Sequence, residues 1–282
     1  LHGDFHLFDY DNMNQTLKNF IQKQFQLPSF IYTVSQQAAD LIEAIYGREA
    51  KVYPNAVDEH IFTREGHREE GEHPYLLMVG GERTAFKGIS YIMDAYEKLK
   101  NEIALDLYWI TPETPSEKMK QRVTKYFVSP TQEKIASLYR GAALYVSGST
   151  YESFSLPPLE AMACGCPVVT TDNKGALEYA VHQKNALICR MKDSEDMAEK
   201  IKELLTNQEL KEKLIHNGLE TAKQYNWNKI IENILHYYQE IASFKVQPRN
   251  KLSDWDIMIH QENCFNHDDY KRLEKFLLVT NA

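Results

Sequence analysis

The chain predicts an α/β fold, a Rossmann-like doubly wound parallel sheet covered by helices, because short apolar runs alternate with amphipathic stretches along most of its length. Two local features support the same class. Runs rich in Val, Ile, Tyr and Leu recur at residues 30–34, 75–81, 104–110 and 167–171, and apolar residues between them fall at helical spacing. The connections carry Gly, Pro, Ser and Asn where strands must turn into helices.

Taken in order, FIYTV at 30–34 reads as a strand, with Ser35 as the N-cap of the helix QQAADLIEAIY and Gly47 closing it. The charged, aperiodic run 63–73 reads as a surface loop. YLLMVGG at 75–81 is a strand, and the helix ISYIMDAYEKLK follows with Ile89, Ile92, Met93 and Tyr96 on one face. Lys87 therefore stands at a strand-to-helix turn. Ligands of doubly wound sheets gather at the carboxyl ends of strands, where a lysine neutralises phosphate charge. ALDLYWI at 104–110 is the next buried strand. Two amphipathic helices lie between about Ser194 and Gln224, and a further helix runs to about residue 244. In that last helix Trp227, Ile230, Ile231, Ile234, Tyr237 and Tyr238 are expected to serve packing.

Residues 151–169, YESFSLPPLEAMACGCPVV, carry the strongest functional signal. A turn holding Ser153, Ser155, Pro157 and Pro158 leads into a helix-forming run at 159–164. The free N–H groups and positive dipole end of such a helix suit an anion, above all a phosphate. Glu152 lies just before the turn and Glu160 on the helix, placed to face one ligand. Gly165 and Pro167 stop the helix before the strand PVVTT.

This run resembles the signature of family 4 of the retaining glycosyltransferases with the GT-B fold, E-x-F-x-x-x-x-x-E-A-M-A-x-G-x-P-V-V. Glu152, Phe154, Glu160, Ala161, Met162, Ala163, Gly165, Pro167, Val168 and Val169 match it. The resemblance covers roughly residues 30–240. Pro54, Asn55, Val57 and Asp58 match the family's linker pattern, with Ala56 in its glycine slot. Lys87 and Gly88 match its V-G-R-x-x-x-x-K-G loop, Glu82 takes the arginine position, and Arg83 lies one residue late. Serines stand at 153 and 155, where most members carry glycine. KYFVSPTQEKIASLYRGAALYVSGST follows the family's course of strand, helix and strand, and Glu178 matches a glutamate behind a glycine.

The resemblance implies a GT-B C-terminal donor domain at 58–230, a remnant of the N-terminal acceptor-side domain and linker at 1–57, and a crossover helix with a C-terminal extension at 231–282. The opening LHG reads like a strand end inside a domain, so an upstream part is expected to be missing. The implied reaction moves a hexose-type sugar, with retention of configuration, from a nucleotide-diphosphate sugar to an acceptor hydroxyl. The donor is expected to be a UDP- or GDP-sugar and the acceptor a glycan or a lipid-linked molecule, with no cofactor and no metal. Glu152, Lys87 and His2 take the catalytic roles in this reading. Arg83, Lys87, Phe154, Ser155, Leu156 and Glu160 hold the donor, with Phe154, Ser155 and Leu156 acting through backbone groups. The alternative is a non-catalytic GT-B-like binding or stabilising subunit, which the displaced arginine and the substituted glycines permit. A GT-B epimerase would need further acid and base residues that the sequence does not identify.

Composition sets outer limits. A chain of 282 residues buries a sizeable core. A net charge of −8 argues against a nucleic-acid partner. Four cysteines, Cys164, Cys166, Cys189 and Cys264, are too few and too irregular for a disulfide framework or a zinc site, which favours a reducing cytoplasm. No apolar stretch reaches the roughly 20 residues that span a bilayer. Contact with the inner face of the membrane, through the domain expected upstream, stays open. The HGDFH run, with His2, Asp4 and His6, and the run Asp254-Trp255-Asp256 read as polar surface rather than metal ligands.

Overall fold

The computed structural model describes residues 14–26 and 29–243. His2 and the Asp254-Trp255-Asp256 run lie outside them.

The first elements form a small unit: α1 (Gln15–Gln26), β1 (Tyr32–Thr33), α2 (Gln36–Tyr46) and β2 (Lys51–Val52). β1 and β2 pair in parallel, Tyr32 opposite Lys51. Phe25, Ala38 and Ile42 form its core, and the Phe25 and Tyr46 rings stack at 4.0 Å. The ends of α2 are set as expected: the Ser35 side chain accepts the Ala38 N–H, and Gly47 adopts φ +63° and donates its N–H to the Glu43 carbonyl.

The main sheet holds β3 (Tyr75–Val79), β4 (Asp106–Thr111), β5 (Lys125–Val128), β6 (Leu144–Ser147), β7 (Val168–Thr171) and β8 (Leu187–Cys189). All pairs are parallel and the order is β5-β4-β3-β6-β7-β8. The connecting helices are α3 (Ile89–Leu99), α4 (Glu117–Lys120), α5 (Gln132–Gly141), α6 (Leu156–Ala163), α7 (Lys174–Leu177), α8 (Ser194–Thr206), α9 (Gln208–Ala222) and α10 (Trp227–Ser243). Alternation along β3 splits the core. Tyr75 and Leu77 face α5 and α6, while Leu76 and Met78 face α3 and α8. The strand order reverses between β3 and β6, so the helices that follow these two strands, α3 and α6, cover opposite faces of the sheet, and the carboxyl ends between them are where doubly wound sheets open a crevice for ligands.

Two expectations need correction. The helix in the signature run begins at Leu156 rather than 159, so Pro157 and Pro158 sit inside its first turn. Proline is tolerated there because its missing N–H has no intrahelical partner to lose. In α10, Ile230 and Tyr237 are buried, but Trp227, Ile231, Leu235 and Tyr238 are about half exposed. A single helix lying on the surface buries only one stripe, so part of the apolar set remains open.

Candidate functional site

The crevice is built by two loops. The first follows β3: Gly80 and Gly81 lead through a 3₁₀ turn, Ala85–Lys87, to Gly88 and α3. The second follows β6 through Gly148 and Glu152 to α6. They are held together by backbone contact. The Thr150 N–H donates to the Phe86 carbonyl at 2.7 Å, and a Cβ on Gly148 would fall 2.6 Å from the Gly88 carbonyl oxygen. Gly80 has φ +156° and lies against the Lys87 stem, and its carbonyl accepts the Trp109 indole N–H at 2.7 Å. Only glycine fits so close an approach at that φ.

This arrangement aims Lys87 at Glu152. Lys87 Nζ lies 2.6 Å from Glu152 Oε1, and the Ser149 hydroxyl donates to the same oxygen at 2.8 Å. The pair is partly buried, with side-chain exposures of 24% and 14%, so water screens it less than a surface ion pair.

Glu160 projects from α6 eight positions after Glu152. The Tyr139 hydroxyl donates to its Oε2 at 3.3 Å. Burial pushes the Glu160 carboxyl up to about 7, against the smaller downward pull of that hydrogen bond. Tyr145 and Tyr179 feel both carboxylates: burial first, then the charges of Glu152 and Glu160, hold the Tyr145 phenol well above its ordinary range, and burial, then Tyr145, then the same two carboxylates do so for Tyr179. Glu152 and Glu160 thus flank one buried tyrosine neighbourhood.

The start of α6 lies between them. Ser155, its N-cap, has φ +59° and ψ +74°, and its side chain makes no capping hydrogen bond. Its carbonyl is held by the Tyr179 hydroxyl. Because Pro157 and Pro158 carry no N–H, the backbone donors at this end are confined to residues such as Ser155 and Leu156.

The model of the family described as glycosyl transferases group 1 matches residues 59–221, more than half of the chain. The chain belongs to this family. An uncharacterized glycosyltransferase of Methanocaldococcus jannaschii is 28% identical over 219 residues, covering 75% of this chain and 60% of that protein. The MMP alpha-(1->4)-mannosyltransferase of Mycolicibacterium hassiacum is 24% identical over 228 residues, covering 76% and 54%. The chain thus spans 54% to 60% of these two relatives. Among solved structures, the sucrose-phosphate synthase of Thermosynechococcus elongatus superposes with a TM-score of 0.71 at 21% identity, covering 82% of this chain and 62% of that one. Anabaena HepE, solved in complex with UDP-glucose, gives 0.69 at 17%, covering 82% and 69%. These likenesses show the fold, that of GT-B glycosyltransferases.

In this member of the group 1 family the residues expected from sequence are only partly assembled. Lys87 and Glu152 meet at 2.6 Å, with Ser155 and Leu156 at the start of α6 and Glu160 further along it. Phe154 buries its ring, 2% exposed, between Tyr179 and Tyr225 at 5.5 Å each, which leaves only its backbone available to the site. Arg83 points outward: its side chain is 87% exposed and pairs at 3.6 Å with Glu113. Glu82, in the expected arginine position, accepts the Ser116 N–H at 2.8 Å and hydroxyl at 2.7 Å, and these bonds lower its carboxyl pKa. Sequence reasoning missed Ser149, which orients Glu152. A serine three residues ahead of a glutamate carries no periodic signal, and only the close packing of the two loops reveals it. Among the described residues, no helix is long and apolar enough to cross a membrane.

Proposed function

We propose that the chain binds a nucleotide-diphosphate sugar, a UDP- or GDP-sugar, over the crevice between β3 and β6 and transfers its hexose-type sugar to an acceptor hydroxyl with retention of configuration. The observation that carries this reading is the Lys87–Glu152 pair at the switch point of the sheet, with Glu160 beside it on the helix that starts there. Residues 58–230 would form the donor-binding unit. The UDP and UDP-glucose complexes of Anabaena HepE support the donor class.

In the proposed complex the diphosphate lies at the start of α6 against Lys87, where a fixed cation and the helix dipole stabilise the charge of the departing nucleoside diphosphate. The bond from the anomeric carbon to the diphosphate breaks, a bond from that carbon to the acceptor oxygen forms, and the acceptor's hydroxyl proton leaves with the released nucleoside diphosphate. Glu152, released in part from Lys87 as phosphate takes up the cation, accepts hydrogen bonds from sugar hydroxyls and orients the ring. Glu160 accepts the ribose hydroxyls. Backbone groups of Phe154, Ser155 and Leu156 complete the cradle, and Arg83 joins it only if its loop moves inward. The assignment includes no metal and no cofactor. His2 remains a proposed donor-sugar neighbour, outside the described residues.

Nucleoside diphosphate release from UDP-glucose and GDP-mannose, with wild type and Glu152→Ala, tests this reading. Turnover falling at least about tenfold while nucleotide affinity changes less than about threefold is expected, since an interaction strengthened in the transition state affects turnover most. Equal turnover in the two proteins would remove Glu152 from the site. The outward Arg83 favours a second reading, a binding subunit that takes up nucleotide without turnover. Tight binding with no product release from either donor would support it.

A further inference from the structure

Glu178 lies just beyond α7, and its carboxylate reaches the small unit. Oε1 accepts the backbone N–H of Gln37 at 3.2 Å, across a sequence separation of 141. Gln37 is the second residue of α2. The neighbouring donors of that first turn are satisfied locally: the Ser35 hydroxyl takes the Ala38 N–H and the Ser35 carbonyl takes that of Ala39, both at 3.2 Å. The Gln37 N–H is met from the donor side instead. A carboxylate at this positive helix end gains from the dipole as well as from the hydrogen bond.

The same short segment braces the candidate site. Gly175 packs so tightly on Glu152 that a Cβ there would fall 2.8 Å from the Glu152 Cβ and run into its carbonyl. One turn later the Tyr179 hydroxyl holds the Ser155 carbonyl, and the Asn173 side chain caps the start of α7 at the Ala176 N–H, 2.9 Å away. Tyr225 adds a link to the linker. Its hydroxyl donates to the Glu178 carbonyl at 3.4 Å, and its own carbonyl takes the Val57 N–H at 2.8 Å. Residues 173–179 are therefore wedged between Glu152 and Ser155 on one side and the first turn of α2 on the other.

We infer that Glu178 is a positioning residue that holds α2 against the donor-side loop, so that occupancy of the candidate site is transmitted to the first turn of α2. It touches no reacting atom and acts through the Gly175–Glu152 and Tyr179–Ser155 contacts. A ligand that draws on Glu152 or on the start of α6 loads this brace, and α2 is the element at its far end. The transmission rests on the donor-site reading above; the holding contact does not.

Hydrogen exchange in wild type, Glu178→Ala and Glu178→Gln, read on peptides covering residues 36–46 with and without UDP, separates the two. In the free proteins, Glu178→Ala should raise exchange at Gln37 about tenfold, the effect of losing one hydrogen bond to a charged acceptor. Glu178→Gln, whose amide oxygen still accepts the N–H, should restore most of the protection. UDP should slow exchange of this segment in wild type but not in Glu178→Ala, with UDP affinity changed less than about threefold. A contact that only stabilises the fold would not remove the response to UDP. Unchanged exchange at 36–46 in Glu178→Ala, or a UDP response that survives the substitution, overturns the inference. If UDP fails to bind wild type, the UDP donor reading fails, and exchange in the free proteins alone decides whether Glu178 holds α2.

Discussion

Gly88 and Gly148 touch backbone to backbone: a Cβ on Gly148 would lie 2.6 Å from the Gly88 carbonyl oxygen, and one on Gly88 would collide with the Gly148 carbonyl. This contact brings the loop after β3 against the loop after β6 and delivers Lys87 to Glu152. Gly88 also adopts φ +62°, which L side chains rarely do. Gly88→Ala should destabilise the protein by about 2–4 kcal/mol, through overpacking and backbone strain together. Urea unfolding checks the value.

Lys87→Ala removes the cation from Glu152 and leaves the Ser149 hydroxyl donating to its carboxylate. Because the pair is partly open to water, the cost to folding should be only about 1 kcal/mol. The loss of nucleotide diphosphate affinity should be larger in effect, roughly tenfold, since a cation next to a phosphate is removed. Parallel unfolding and binding measurements distinguish the two contributions.

Glu160 gives opposite pH trends for folding and for binding. Its carboxyl is raised from 4.5 to about 7 in the folded protein, so the folded state holds a proton that the unfolded state has lost across that window. Stability from this group therefore falls as pH rises from about 4.5 to 7, by about 3 kcal/mol in total. Glu160→Gln should recover most of that at pH 8. A ligand hydroxyl donating to Glu160 favours the ionised form, so nucleotide affinity should rise through pH 7 in wild type and stay flat in Glu160→Gln. Thermal unfolding and titration at pH 6 and pH 8 read both trends.

Ser155 occupies a left-handed conformation at the start of α6 without a capping bond from its side chain. Ser155→Gly should relieve that strain and stabilise the protein by up to about 1 kcal/mol, less the added entropy of the unfolded glycine. It would also open space beside the proposed donor sugar. A lower melting temperature for Ser155→Gly would contradict this.

Local chemistry was legible wherever one segment determines its own geometry. Ser35 and Gly47 bound α2 as their cap preferences demand, and the apolar spacing of Ile89, Ile92, Met93 and Tyr96 places α3 on the sheet. The turn after β3 places Lys87 within reach of Glu152, and the spacing from Glu152 puts Glu160 on α6. What stayed hidden depends on approach between distant segments. Glu82 is taken up by Ser116, 34 residues on, which removes it from the ligand side and leaves Arg83 outside. Glu178 meets the Gln37 N–H across a separation of 141 residues, a contact that no local pattern signals. The early start of α6 was hidden because Pro157 and Pro158 read as a turn, although the first turn of a helix accepts them equally well.

The most direct test of the account is isothermal titration of the chain with UDP, GDP and ADP, repeated with Lys87→Ala and Glu160→Ala. A donor site built on these residues requires selective binding of UDP or GDP, weakened roughly tenfold by each substitution. Binding of no nucleotide, or binding that both substitutions leave unchanged, would contradict a donor site between β3 and β6.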